Sequence, residues 1–238
     1  KATTLFGIQK SEQTTKSWYQ FPDLGTKDDY QFFLDAGPLS NLDKFYDKDD
    51  EFWQQLKDHS SYDEFWQKRG ILQHLKEIKP AVMTVGGWFD AEDLYGPLNT
   101  YEAIEKSSKN YNTIVMGPWS HGDWARNSAS AIIGNIKFGD SISGFFQKNI
   151  EANFFRHFLK DSGKGENKLP EAYVFDTGVK DWKTYDAWPP ENVVKESFYL
   201  AEDKLTTVTS NDGGFQEFIS DPKKPVPFTE DINQRGIT

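Results

Sequence analysis

The 238-residue chain contains no cysteine. Disulfides, thiolate metal sites and a cysteine nucleophile are therefore excluded, while the compartment stays open, because a protein of an oxidising space can simply lack cysteine. Basic residues are in deficit: 27 Lys and Arg face 37 Asp and Glu, giving a formal net charge of −10 and a pI of about 4.9. A protein that grips phosphate backbones needs a basic face, so nucleic acid is not an expected partner. No apolar run approaches the ~18 residues that span a bilayer, so no membrane segment is expected either. His-Glu-x-x-His, a Walker loop and Gly-x-Gly-x-x-Gly are all missing, and no cofactor or metal is expected. The Gly-x-Ser-x-Gly nucleophile elbow is missing too. Its nearest approximation, Asp140-Ser141-Ile142-Ser143-Gly144, opens a helical pattern with no convincing strand before it and is rejected.

What the chain has in abundance is aromatic: 8 Trp, 10 Tyr and 19 Phe. Disordered chains are poor in such residues, so a folded protein is expected in spite of a mean hydropathy of −0.72. The length suits one large domain or two small ones. The sequence begins at Lys1 without Met or a signal-like segment and stops at Gly236-Ile237-Thr238, and it reads as a fragment or processed piece of something longer.

Residues 1–80 read as helices joined by polar loops. One covers Lys27 to Ala36 and is stopped by Gly37-Pro38; a short one covers Asp49 to Leu56. A third starts after Ser60 or Ser61 as N-cap, and a fourth lies between Gly70 and Pro80. The texture then changes. Ala81-Val82-Met83-Thr84-Val85, ended by Gly86-Gly87, reads as a buried strand, Pro97 to Lys106 as a helix, and Asn112-Thr113-Ile114-Val115-Met116, ended by Gly117-Pro118, as a second buried strand. Strand, helix, strand over this length is a βαβ unit with parallel strands, hence an α/β fold. Ser143 to Lys160 is a long amphipathic helix, Gly163 to Lys168 a polar linker, and the short strand patterns after it suggest that a β-domain has begun.

In an open parallel sheet, ligands bind at the carboxyl ends of the strands. The first strand ends in Gly86-Gly87-Trp88-Phe89-Asp90-Ala91-Glu92-Asp93, the second in Gly117-Pro118-Trp119-Ser120-His121-Gly122-Asp123-Trp124. An acid and a histidine thus leave neighbouring strand ends, the arrangement a carboxylate needs to fix an imidazole tautomer and stabilise the imidazolium. Taken alone, Asp90 reads as a turn or cap and His121 as a hydrogen-bonding loop residue; the pairing is what makes them catalytic candidates. Glu92 and Asp93 read locally as the acidic first turn of the following helix. Trp88, Trp119 and Trp124 are either lid packing or pocket walls. His157 reads as a packed histidine, and His59 and His74 as structural.

The segments from Gly86 to Gly96 and from Val115 to His121, together with Asp35-Ala36-Gly37-Pro38-Leu39, Tyr62-Asp63-Glu64-Phe65-Trp66 and Ser220 to Pro227, resemble the α-amino-acid ester hydrolases and glutaryl cephalosporin acylases. These belong, with cocaine esterase, to the X-Pro dipeptidyl-peptidase-like serine hydrolases. The resemblance implies a helical cap segment over 1–77, the C-terminal part of an α/β-hydrolase body over 78–163 and the beginning of a jelly-roll β-domain over 168–238. It also implies that Asp90 is the triad acid, that His121 is the triad base, and that Glu92 and Asp93 belong to a carboxylate cluster holding a substrate's α-ammonium group. Trp88 and Trp119 are then substrate-binding candidates. The nucleophilic Ser, the oxyanion-hole Tyr and a third cluster carboxylate would lie in an upstream segment of the same protein.

The reading is a periplasmic or secreted serine hydrolase of esters or amides of small α-amino acids, including acyl transfer to β-lactams. Its partners would be a small-molecule substrate, the upstream segment and, in a homo-oligomer, a second copy of the protein. Alternatives are an X-Pro dipeptidyl-peptidase, a glutaryl-type acylase, and a non-enzymatic binding module that stacks ligands on Trp182 and Trp188 of the β-domain.

Overall fold

The computed structural model describes residues 24–46, 51–126, 132–133, 136–160, 169–201, 203–209, 214–215 and 217–227. They fall into two units, one formed by residues 24–69 with 214–227 and the other by residues 70–209. The expected linker at Gly163 to Lys168 lies outside the described residues.

The first unit is helical. Helix α1 (Asp29–Ala36) starts where Asp28 accepts the Gln31 amide and stops at Gly37, whose φ of 76° favours glycine. A 3₁₀ stretch (Leu39–Phe45) leads to α2 (Glu51–Asp58) and α3 (Glu64–Arg69). Ala36, Leu42, Tyr46 and Trp53 form its core, with the Tyr46 and Trp53 rings stacked 4.2 Å apart. The cap of α3 is neither Ser60 nor Ser61. Asp63 takes that role, accepting the Phe65 amide through Oδ1 while Oδ2 holds His59. A carboxylate serving two donors outcompetes a hydroxyl at this position. In the same unit Tyr30 donates to the carbonyl of Pro225.

The second unit is built on a four-stranded sheet covered by helices. Strands β1 (Val82–Gly87) and β2 (Asn112–Gly117) pair in parallel from Val82 opposite Asn112 to Gly87 opposite Gly117. Helix α4 (Tyr95–Ser107) connects them, as the βαβ pattern predicts. All six residues of β2 are buried, and alternate side chains serve the two faces. Val115 joins Trp119, Phe138, Ile142, Phe146, Ile150 and Phe175 on one face, whereas Ile114 and Met116 join Tyr101, Ala172 and Val174 on the other. Truncating any of these large apolar side chains to Ala would cost about 2–5 kcal/mol.

The expected helix between Gly70 and Pro80 is a single 3₁₀ turn (Ile71–His74). Beyond it the backbone finds partners at the end of α4 instead of in its own helix: Ser107 Oγ donates to Leu75 O, Glu77 N to Ser107 O, and Ile78 N to Ser108 Oγ. After a short helix α5 (Asp123–Arg126) and a hairpin of β3 (Ile132–Ile133) and β4 (Ile136–Lys137), the amphipathic pattern forms α6, running from Ile142 to Lys160. It widens into π turns over Phe146–Glu151 and Arg156–Lys160. Asn149 and Asn153 donate their side-chain amides to the carbonyls of Phe145 and Asn149, taking acceptors that the ordinary i→i−4 ladder uses.

One boundary is corrected. The β-domain expected from residue 168 does not contain the first two strands after it. Strand β5 (Ala172–Asp176) pairs in parallel with β2, and β6 (Asp181–Tyr185) returns antiparallel to β5, so both extend the sheet of the α/β body. The sequence marks the strands, but register with β2 is a long-range pairing that local pattern does not carry. A small hairpin of β7 (Tyr199–Ala201) and β8 (Lys204–Thr206) follows.

Candidate active site

The two glycine-ended strands stay joined beyond their sheet register. Trp88 N donates to Gly117 O at 2.8 Å, and Phe89 N donates to Trp119 O at 3.1 Å. The approach at Gly87 is so close that a Cβ there would lie 2.2 Å from Trp119 O. The chain then turns, with Asp90 N donating to Gly87 O. The zipped backbones bring the acid and the histidine together.

Asp90 Oδ2 lies 2.9 Å from His121 Nδ1. Its other oxygen, Oδ1, accepts the backbone N–H groups of Glu92 at 2.9 Å and Asp93 at 3.0 Å. The Asp90 side chain is 3% exposed and that of His121 is 48% exposed. Burial pushes the Asp90 pKa upward, but the amides of Glu92 and Asp93, joined by His121, outweigh it and hold the carboxyl below its ordinary value. An ionised carboxylate only accepts, so Nδ1 carries a proton. In the neutral ring Nε2 then presents its lone pair, and among the described residues it has no partner. A buried anion holding a half-exposed imidazole in one tautomer is equipped to accept a proton at Nε2 and return it.

The other candidates are placed as follows. Glu92 and Asp93 are exposed, immediately beside Asp90. Asp93 Oδ1 accepts the Gly96 amide at the start of α4, but neither carboxylate lies in its first turn, which begins at Tyr95. Trp88 is half-buried, donates Nε1 to Phe175 O and packs near Trp188, acting as a strut between β1 and the end of β5. Trp119 is corrected: it is wholly buried, packed on Phe146, Trp124 and Trp182, and belongs to the core instead of a pocket wall. Its Nε1 has no partner among the described residues. Trp182 and Trp188 are half-buried inside aromatic clusters, and Trp182 lies on β6 of the α/β sheet, so the proposed stacking platform on a β-domain is not formed by them. His157 packs edge-on against Phe158 and takes no part in the site. Among the described residues no cluster of His, Asp and Glu is disposed to hold a metal ion.

Sequence reasoning passed over Ser120 and Asp123, whose side chains hydrogen-bond to each other across the turn that carries His121. The Ser-x-x-Asp spacing, a capping signature, is the signal that was available.

Residues 8–123 match the family described as X-Pro dipeptidyl-peptidase (S15 family). The chain is therefore similar to the X-Pro dipeptidyl-peptidase-like hydrolases over just under half of its length. A cocaine esterase of Rhodococcus sp. (strain MB1 Bresler) is 24% identical over 185 residues, which is 73% of this chain and 31% of the esterase. Among solved structures, an aminopeptidase from the marine sediment archaeon Thaumarchaeota archaeon aligns with a TM-score of 0.77 and 31% identity over 91% of this chain and 35% of its own. An α-amino acid ester hydrolase aligns with a TM-score of 0.74 and 29% identity over 84% of this chain and 34% of its own. The chain thus spans about a third of the length of these superfamily relatives. Its relatives are hydrolases, and its α/β architecture is theirs.

Proposed function

We propose that this chain supplies the acid and base of a serine hydrolase that cleaves esters or amides of small α-amino acids. The observation that carries the reading is the clamped Asp90–His121 pair at the carboxyl ends of two neighbouring parallel strands. An upstream segment of the full-length protein would supply the nucleophilic Ser. Its Oγ attacks the substrate carbonyl carbon while its proton passes to His121 Nε2. The tetrahedral adduct collapses, the imidazolium returns that proton to the leaving group, and a serine ester remains. Water, or the amine of a β-lactam nucleus, then attacks the ester with the same proton route. Asp90 holds the ring and offsets the transient imidazolium charge.

Glu92 and Asp93 give this reading its substrate preference. Two exposed carboxylates beside the acid favour an acyl group bearing an α-ammonium, and they repel a glutarate, which disfavours the glutaryl-type acylase. An X-Pro dipeptidyl-peptidase remains the second reading, because a peptide N-terminus is also an ammonium group and residues 8–123 match that family. We further propose a periplasmic or extracellular location, as the sequence resemblance implies.

The test is a fluorophosphonate probe with p-nitrophenyl esters of amino acids. The full-length protein should be labelled at one Ser and turn over. The 238-residue chain alone should show neither. Labelling with turnover of this chain alone would put its nucleophile within it and refute the division of the triad.

A further inference from the structure

The imidazole of His121 is half-exposed, and the contact seen to hold the ring itself is the bond from Nδ1 to Asp90. Its aim therefore depends on the backbone beneath it. On one side that backbone is fixed by Trp119, which is wholly buried and whose carbonyl accepts the Phe89 amide. On the other side it enters a tight turn. Gly122 has a φ of 77°, Asp123 N donates to Ser120 O at 3.3 Å, and Ala125 N and Arg126 N both reach Gly122 O. Helix α5, which this turn begins, is only four residues long. A single turn of helix does not hold itself together in water, so it cannot brace His121 by its own hydrogen bonds. The long Asp123 N bond to Ser120 O is reinforced by a second bond between the same two residues, from Ser120 Oγ to Asp123 Oδ2, and these residues bracket His121-Gly122.

We propose that Ser120 and Asp123 are positioning residues for His121: their hydroxyl–carboxylate bond locks the turn so that the imidazole meets Asp90 through Nδ1 and aims Nε2 at the reacting carbonyl. This rests on the reading of His121 as the general base. It also assigns Ser120 a role other than nucleophile, because its hydroxyl is engaged in tying its own turn together through Asp123. The lock is a charge-assisted bond, so Asn at 123 weakens it, while Thr at 120 keeps the hydroxyl in place.

The experiment compares Ser120→Ala, Ser120→Thr, Asp123→Asn and His121→Ala in the full-length protein, using amino-acid esters. Displacing a reacting group by about 1 Å can cost on the order of 100-fold. Ser120→Ala and Asp123→Asn should lower kcat by roughly ten- to 100-fold, with KM within about twofold of the parent. Ser120→Thr should recover most of that loss. On the proton NMR spectrum, the downfield Nδ1–H resonance of His121 should broaden or move in Ser120→Ala and stay in place in Ser120→Thr. Unchanged kcat in Ser120→Ala, or a Ser120→Thr variant as impaired as Ser120→Ala, would overturn the positioning role. A variant that raises KM at constant kcat would do so too. If His121→Ala kept full activity, the general-base reading itself would fall, a result distinct from loss of the lock alone. A fluorophosphonate adduct on Ser120 would overturn both.

Discussion

His121 Nδ1 donates to one oxygen of Asp90 at 2.9 Å while the other oxygen accepts two backbone amides, so the carboxylate is clamped at both ends and the ring is held at one. Asp90→Asn tests this arrangement. Asn keeps the shape and can still accept the two amides, but its side chain no longer offers the charge that selects the Nδ1–H tautomer. In the full-length protein kcat should fall by about 10⁴ with little change in melting temperature. A loss below about tenfold would mean that Asp90 is only the turn residue its local sequence suggests.

The same clamp sets an acid dependence. The Asp90 carboxyl is held below its ordinary value despite burial, which acts the other way. A depressed folded pKa gives stabilisation that is fully present above the unfolded value, near ~3.9, and that is lost as pH falls through the folded one. Urea melts of this chain between pH 6 and pH 2 should therefore show a steeper acid loss in the parent than in Asp90→Asn. Parallel curves would show that Asp90 contributes no linkage.

Gly87→Ala should separate the two strand ends. The new Cβ would lie 2.2 Å from Trp119 O and 2.8 Å from its carbonyl carbon, both backbone atoms that no rotamer change can clear. Overpacking of this kind costs about 1–3 kcal/mol. Because the displaced segment carries His121, kcat should drop by on the order of 100-fold. Gly214→Ala, where no atom of the described residues lies within 4 Å, is the matched control and should be neutral. A thermal melt of each variant beside its turnover number separates the two effects.

Glu92→Gln with Asp93→Asn should change substrate choice more than stability. Asn at 93 still caps the start of α4 through its side-chain oxygen. Glu92 and Asp93 are exposed, and an exposed ion pair is worth about 0.2–1 kcal/mol, so kcat/KM for α-amino esters should fall by up to roughly fivefold per carboxylate, with matched esters lacking the amine much less affected. Equal losses on both would reduce the pair to an acidic turn ahead of α4. Repeating the comparison at low and high salt reports how far the bound ammonium is shielded from solvent.

Much of the body was legible because its signals are local. Apolar runs ended by Gly86-Gly87 and by Gly117-Pro118 mark β1 and β2, and a βαβ unit admits only parallel strands. That placed Asp90 and His121 at one edge before any distance was known. What escaped were features settled by partners distant in sequence. The stretch after Gly70 has helical composition, yet Ser107 and Ser108 take its backbone donors and acceptors. Strands β5 and β6 look like the opening of a separate β-domain until β2 offers them an edge. Trp119 sits in a polar loop by sequence, but the close approach at Gly87 turns its ring inward, where Phe146 and Trp182 receive it.

The parallel register of β1 and β2 has a consequence for protein engineering. Asp90 and His121 are 31 positions apart in sequence, but their separation in space is fixed by Gly87 standing opposite Gly117 and by the two amide bonds beyond it. Beyond Glu92 and Asp93, whose amides hold Asp90, the intervening chain is a tether whose length the site does not sense. New termini or a short insert after exposed Lys109, at the far end of the sheet, should leave the pair intact, provided Ser108 and Asn110 keep their bonds to Ile78 and Pro80. One residue added between Gly117 and His121 should abolish it. Catalytic geometry in this chain is thus a property of strand pairing and of the turn at Asp90, and the end of the crossover at Lys109 is open to redesign.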